Sequence, residues 1–200
     1  MRSAHLASSI TARRVRGLVA SSLLLGGAGL AGAAGCSDPV PPTPQGAFQV
    51  TFVSDSAECG IAGHNTAVGA VTSTTKDKVL VSGTEGADVE CTVSGSGTFS
   101  VQAKITQNGQ GLEINIPKLT ASASKDNPAT GSVNYASLKT SGTAFSSATD
   151  TPCKFYFTSS SEGVASGRVW ITFDCPKIVQ GTMKTCKLGP GFAIFENCAE

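Results

Sequence analysis

Seven of the 200 residues are cysteine: Cys36, Cys59, Cys91, Cys153, Cys175, Cys186 and Cys198. A thiol can ligate a metal, act as a nucleophile, crosslink to a second thiol or carry a covalent group. Zinc is poorly served, because no Cys-x-x-Cys spacing occurs and His64 is the only histidine beyond residue 36. An odd count leaves one thiol over when the others pair. Nucleophilic catalysis would need a base, normally His. His64 lies in the Gly-flanked string CGIAGHN and reads as an exposed loop residue. No G-x-S-x-G, P-loop or H-E-x-x-H string is present. The acidic residues could supply a carboxylate pair for glycoside hydrolysis, yet the local setting marks no two of them. Asp55 with Glu58, and Asp88 with Glu90, lack the ligand density of a calcium loop. The sequence therefore predicts neither cofactor nor metal.

The first 36 residues have the physics of an export signal. Arg2, Arg13, Arg14 and Arg16 precede any acid, which holds that end on the cytoplasmic side. Gly17 to Ala31 is apolar but Gly-diluted and about fifteen residues long, short of the roughly 20 needed to span a bilayer. Small residues then lead to Cys36 in LAGAAGC. This string resembles the lipobox of bacterial lipoproteins, with Ala33 where that family most often has Leu. The resemblance implies cleavage between Gly35 and Cys36, diacylglyceryl on the Cys36 thiol and acylation of the new amino end. The alternative is an ordinary secretory signal with Cys36 as a stray thiol. Ser37, rather than Asp, follows the cysteine, which in enteric-type bacteria implies outer-membrane delivery. Pro39, Pro41, Pro42 and Pro44 make the next segment a semi-rigid polyproline spacer of about 3.1 Å per residue. The expected organisation is a signal over 1–35, a tether over 36–46 and a domain over 47–200.

Assigning Cys36 to lipid leaves six cysteines, enough for three disulfides in an oxidising compartment. Two hairpins can be registered from the sequence. Asn108-Gly109 is a strong type I′ turn signal. It sets Ile105 against Leu112, Ala103 against Ile114 and Val101 against Ile116, with Lys104 against Glu113 and Gln102 against Asn115 on the other face. A slip by one residue would mix the two faces. In the second hairpin, setting Cys153 against Cys175 pairs Phe155 with Phe173, Phe157 with Ile171 and Lys154 with Asp174, around a Gly163-Val164-Ala165 loop. Gly189-Pro190-Gly191 reads as a turn that would bring Cys186 to Cys198, leaving Cys59 with Cys91. Further strands are expected over Ala67–Thr74, Val79–Ser82, Gly131–Lys139 and Gly191–Phe195. The fold class is all-β, an antiparallel sandwich or barrel of about nine or ten short, disulfide-bonded strands.

In the second hairpin's register Tyr156 faces Thr172 and Trp170 faces Thr158, placing the two rings diagonally with Arg168 nearby. An aromatic pair ringed by polar groups suits a sugar ring or a protein partner. The alternative is that another loop or strand covers this face. Beyond Cys36, ten Lys and one Arg stand against fourteen acids, a net of −3 that excludes a nucleic-acid partner. Three function classes remain: a membrane-anchored binding or interaction module, an envelope hydrolase, and a purely structural envelope protein. Two inward carboxylates in one pocket would favour the hydrolase, and a shallow surface around Trp170 and Tyr156 the binding module.

Overall fold

The computed structural model describes residues 40–54, 57–140, 143–181 and 184–200. The expected signal, Cys36, the start of the tether and Asp55 lie outside these residues. The twelve strands are β1 (Gln45–Val53), β2 (His64–Val68), β3 (Leu80–Val81), β4 (Ala87–Ser96), β5 (Thr98–Gln107), β6 (Gln110–Thr120), β7 (Ala129–Ala136), β8 (Phe145–Ser147), β9 (Cys153–Tyr156), β10 (Gly163–Ala165), β11 (Arg168–Gln180) and β12 (Lys184–Glu196). Nine have four or more residues; β3, β8 and β10 are two- or three-residue pairings added to longer neighbours. No described helix is long and apolar enough to cross a membrane. The first strand starts at Gln45, two residues before the expected domain boundary, because Gln45 pairs with both Glu196 and Val81.

One antiparallel sheet runs β2-β1-β12-β11-β8-β7-β6-β5-β4, with β9 also lying between β11 and β7. The sheet bends over so that β1 and β2 pack across β4, β5 and β6 as in a sandwich. Alternation does the work: β4 and β6 bury every second residue for most of their length, and the buried faces meet in one core. Phe48, Phe52, Phe145, Phe155, Phe173 and Phe195 are fully buried there.

The β5–β6 hairpin has the expected register, with Asn108 at φ 50° and Gly109 at φ 79° in the turn. The second hairpin agrees from Lys154↔Asp174 to Tyr156↔Thr172, and Cys153 is bridged to Cys175. It departs beyond that point. Phe157 leaves the ladder and donates its N–H to the Ala123 carbonyl (3.1 Å) instead of pairing with Ile171. Gly163, Val164 and Ala165 are strand rather than loop, paired with Trp170, Val169 and Arg168 around a Ser166-Gly167 turn. Trp170 is thus opposite Gly163, not Thr158.

The other two bridges are Cys59–Cys186 and Cys91–Cys198, correcting the expected Cys186–Cys198 and Cys59–Cys91. The reason lies at Gly189-Pro190-Gly191, which is no turn. It is an irregularity inside one continuous strand, where the registers of both β1 and β11 against β12 shift. Proline lacks a ladder donor and is tolerated in a strand at such a place. Cys186 and Cys198 are therefore held far apart by an extended strand. Cys59 bridges near one end of β12, while the chain beyond its other end crosses to β4.

Candidate functional site

The sequence placed its ligand surface on the Tyr156 and Trp170 face of the second hairpin, with a covering loop or strand as the alternative. At Trp170, on the outer face shared with β12 and β1, a segment of the chain does lie over the sheet. Expected strand 67–74 ends early, at Val68, because Gly69 turns the backbone at φ 74°. A Cβ there would lie 2.5 Å from the Lys78 carbonyl oxygen and 2.7 Å from the Ala47 Cβ. Residues 69–79 then cross the sheet as a strap. Ala70 and Lys78 exchange backbone hydrogen bonds at 2.8 and 3.1 Å, and the Thr72 hydroxyl accepts the N–H groups of Thr74 and Thr75. Val71 and Val79 pack with Ala47, Ile194, Phe192 and Trp170 in a small second core. Trp170 Nε1 donates to the Thr72 carbonyl at 2.8 Å, the Ser159 hydroxyl donates to the Ser73 carbonyl, and Lys76 Nζ meets Glu196 Oε1 at 2.6 Å.

The expected grouping of Trp170, Tyr156 and Arg168 is only partly assembled. Tyr156 is buried, and desolvation, followed by the charge and hydrogen bond of Asp174 and the charge of Glu162, pushes its phenol above the ordinary tyrosine range. Trp170 is half-buried and Arg168 exposed; both line a cleft of about 170 Å³ between the strap and the 158–163 loop. Lys76, Ser160, Ser161, Glu162 and Glu196 contribute to its walls.

That loop is built around a residue that carried no signal in the sequence. Glu162 is 8% exposed. Its Oε2 accepts the N–H and hydroxyl of Thr158 and the N–H of Ser159, and its Oε1 accepts the Thr172 hydroxyl. Capture of these donors pulls the chain out of the β9–β11 ladder, which is why the hairpin departs from its expected register. Glu196 accepts Gln45 Nε2 at 2.8 Å and Lys76 Nζ. Glu162 and Glu196 are thus two carboxylates lining one cleft, the arrangement that a hydrolase would need. Every oxygen of the pair, however, already accepts a hydrogen bond from the protein. The Arg168 guanidinium, which can only donate, has no side-chain partner among the described residues, and the exposed Ser160 and Ser161 hydroxyls can donate or accept.

His64 is not the exposed loop residue expected. It opens β2, is 8% exposed and stacks on Phe52 with ring centroids 4.8 Å apart. Nδ1 donates to the Ala62 carbonyl (2.8 Å), since a carbonyl can only accept, and Nε2 meets the Tyr135 hydroxyl at 3.1 Å. Thr66 Oγ1 bonds Tyr135 (2.7 Å) and donates to Ser137 Oγ (3.0 Å). Burial pushes the Tyr135 phenol above its ordinary range, the Thr66 and Ser137 bonds pulling the other way. This chain of groups joins β2 to β7 across the two layers. Alternation over His64–Val68 was its only trace in the sequence.

Asp88 and Glu90 stand on the outer face of β4, opposite Thr106 and Lys104. No group of three His, Cys, Asp or Glu able to hold a metal occurs among the described residues. No protein-family model, curated protein or solved structure matches the chain.

Proposed function

We propose that this chain is an exported lipoprotein: Cys36 carries lipid, the proline-rich segment spaces the chain from an envelope membrane, and the disulfide-bonded β domain is a binding module displayed there. The supporting observation is the cysteine pairing. Six of the seven cysteines bridge one another, so Cys36 has no cysteine within the chain left to pair with. A thiol in that position, after an apolar stretch and a run of small residues, suits lipidation. Two or more acyl chains give durable attachment where a single chain gives only marginal binding. Outer-membrane delivery is the corresponding location. Binding is favoured over hydrolysis because the cleft beside Trp170 leaves donors open while its carboxylates are engaged.

Intact mass of membrane-extracted protein, before and after reduction, tests the anchor. The expected product lacks residues 1–35, carries acyl mass and gains two hydrogens per bridge on reduction. Cys36→Ser should give uncleaved or soluble protein. Processed Cys36→Ser chain still attached to membrane, or wild-type Cys36 recovered unacylated, would remove the lipoprotein reading.

A further inference from the structure

We infer that the cleft beside Trp170 binds an acidic saccharide, a sugar ring carrying one carboxylate; this rests on the reading of the domain as a binding module and names its ligand class. Three observations converge on it. The indole is pinned by its bond to the Thr72 carbonyl and by packing against Ile194 and the strap, so an aromatic wall is present before any ligand arrives. Aromatic walls with a few placed polar groups are the usual make-up of small-ligand sites. The volume, about 170 Å³ with one side open, suits one ring of an oligosaccharide rather than a large cofactor.

The hydrogen-bond inventory then selects the chemistry. Glu162 accepts four bonds and Glu196 two, all from the protein, so each oxygen of both carboxylates already has a partner. Arg168 remains as a pure donor and Lys76 has donor hydrogens beyond the one directed at Glu196, while the Ser160 and Ser161 hydroxyls can turn either way. Cationic donors left open in such a cleft favour a ligand that presents an anionic acceptor. Charge sets the limit: Lys76 is paired with Glu196, and Glu162 adds a second negative charge, leaving Arg168 as the one cation without an ion-pair partner in the cleft. A monoanion matches one planar guanidinium in a forked pair. A dianionic phosphate would meet two carboxylates with only one unpaired cation to offset them.

Trp170 is the single tryptophan of the chain, so its fluorescence reports this cleft in the full-length protein in detergent. Titration with glucuronate should give a saturable change, with glucose at least about tenfold weaker and acetate, which lacks the ring, weaker still. Arg168→Ala should weaken glucuronate about 10- to 100-fold and glucose far less, with Arg168→Lys recovering part of the loss for glucuronate. Unchanged circular dichroism in both variants would show that the fold is intact. Equal affinities for glucose and glucuronate would overturn the acidic class while leaving a sugar-binding module standing. A response to acetate as strong as to glucuronate would remove the ring, and silence toward all three would remove the site. None of these results touches the mass measurement that tests the anchor.

Discussion

Replacing Cys91 and Cys198 together by alanine removes the bridge that ties the chain after β12 to β4. These cysteines are 107 residues apart, and a loop of that length closed in isolation restricts the unfolded chain by about 4.8 kcal/mol in the chain-entropy treatment. The bridge does not act in isolation, however. With Cys59–Cys186 intact, the unfolded chain is already short-circuited. The stretch from Cys59 to Cys91 and that from Cys186 to Cys198 then enclose a ring of only about 44 residues, which lowers the figure to about 4.0 kcal/mol. Removing Cys59–Cys186 opens the same ring and should cost the same. The local Cys153–Cys175 bridge, separated by 22 residues, should contribute about 3.4 kcal/mol.

Urea unfolding followed by Trp170 fluorescence measures the loss, expected as a midpoint lowered by about 2 M for a urea dependence of about 2 kcal/mol per molar. Thiol titration of the unfolded double variant gives the sharper answer. Crossed connectivity leaves Cys59 bridged to Cys186, so beyond Cys36 no free thiol should appear. Two free thiols would mean that Cys59 and Cys186 had been partners of the removed residues, and the connectivity would be refuted. A loss below about 1 kcal/mol with the thiol count as expected would refute the magnitude instead, showing an unfolded chain too compact to feel the constraint.

Both tyrosines of the chain have phenols held above their ordinary range by burial, so the folded protein keeps two protons that the unfolded chain releases from about pH 10 upward. Stability should therefore be fully present below that pH and fall as pH rises through it, with tyrosinate absorbance appearing together with unfolding; tyrosinate forming in a chain that stays folded would contradict this. Gly191→Ala places a Cβ 2.5 Å from Cζ of the buried Phe173 ring and should cost about 1–3 kcal/mol by thermal melt. Gly163→Ala, with nothing within 4 Å of the added atom, should lie within about 0.5 kcal/mol of wild type. Equal melting of the two variants would show that the strand yields at Gly191 without strain.

The parts of the fold that were legible in the sequence are those in which a local signal and period-two alternation agree. Asn108-Gly109 sets a turn, and the residues on either side have only one register that sorts apolar from polar. Cys153 and Cys175 worked in the same way, since their pairing also matched Phe155 to Phe173 and Lys154 to Asp174. Gly189-Pro190-Gly191 misled because the residue types that make a turn also make an irregularity in a long strand. Only the partners on both sides, β1 and β11, decide between the two. The candidate site was legible in Trp170 and Arg168, which lie two apart on one strand. Glu162 and the strap were not, because their roles depend on contacts with Thr172, Ser159 and Glu196, set by tertiary packing. His64 was misread for a related reason: Gly63 precedes it, but burial comes from Phe52 and Tyr135, residues remote in sequence.

The far border of the sheet, β4, is ten residues long, and a bare border of that length is a template for pairing with another molecule. Here its outward groups are mostly taken within the chain. Ala87 is tied to Gly83 and Thr84, and the Val89 N–H to the Ser82 hydroxyl. The Cys91 and Val93 groups are tied to Ala199 and Gly167. The bridge at Cys198 keeps the last of these guards in place. Its reduction would therefore do more than loosen one molecule: it would uncover a strand margin able to recruit a neighbour, turning a loss of stability into self-association at high local concentration.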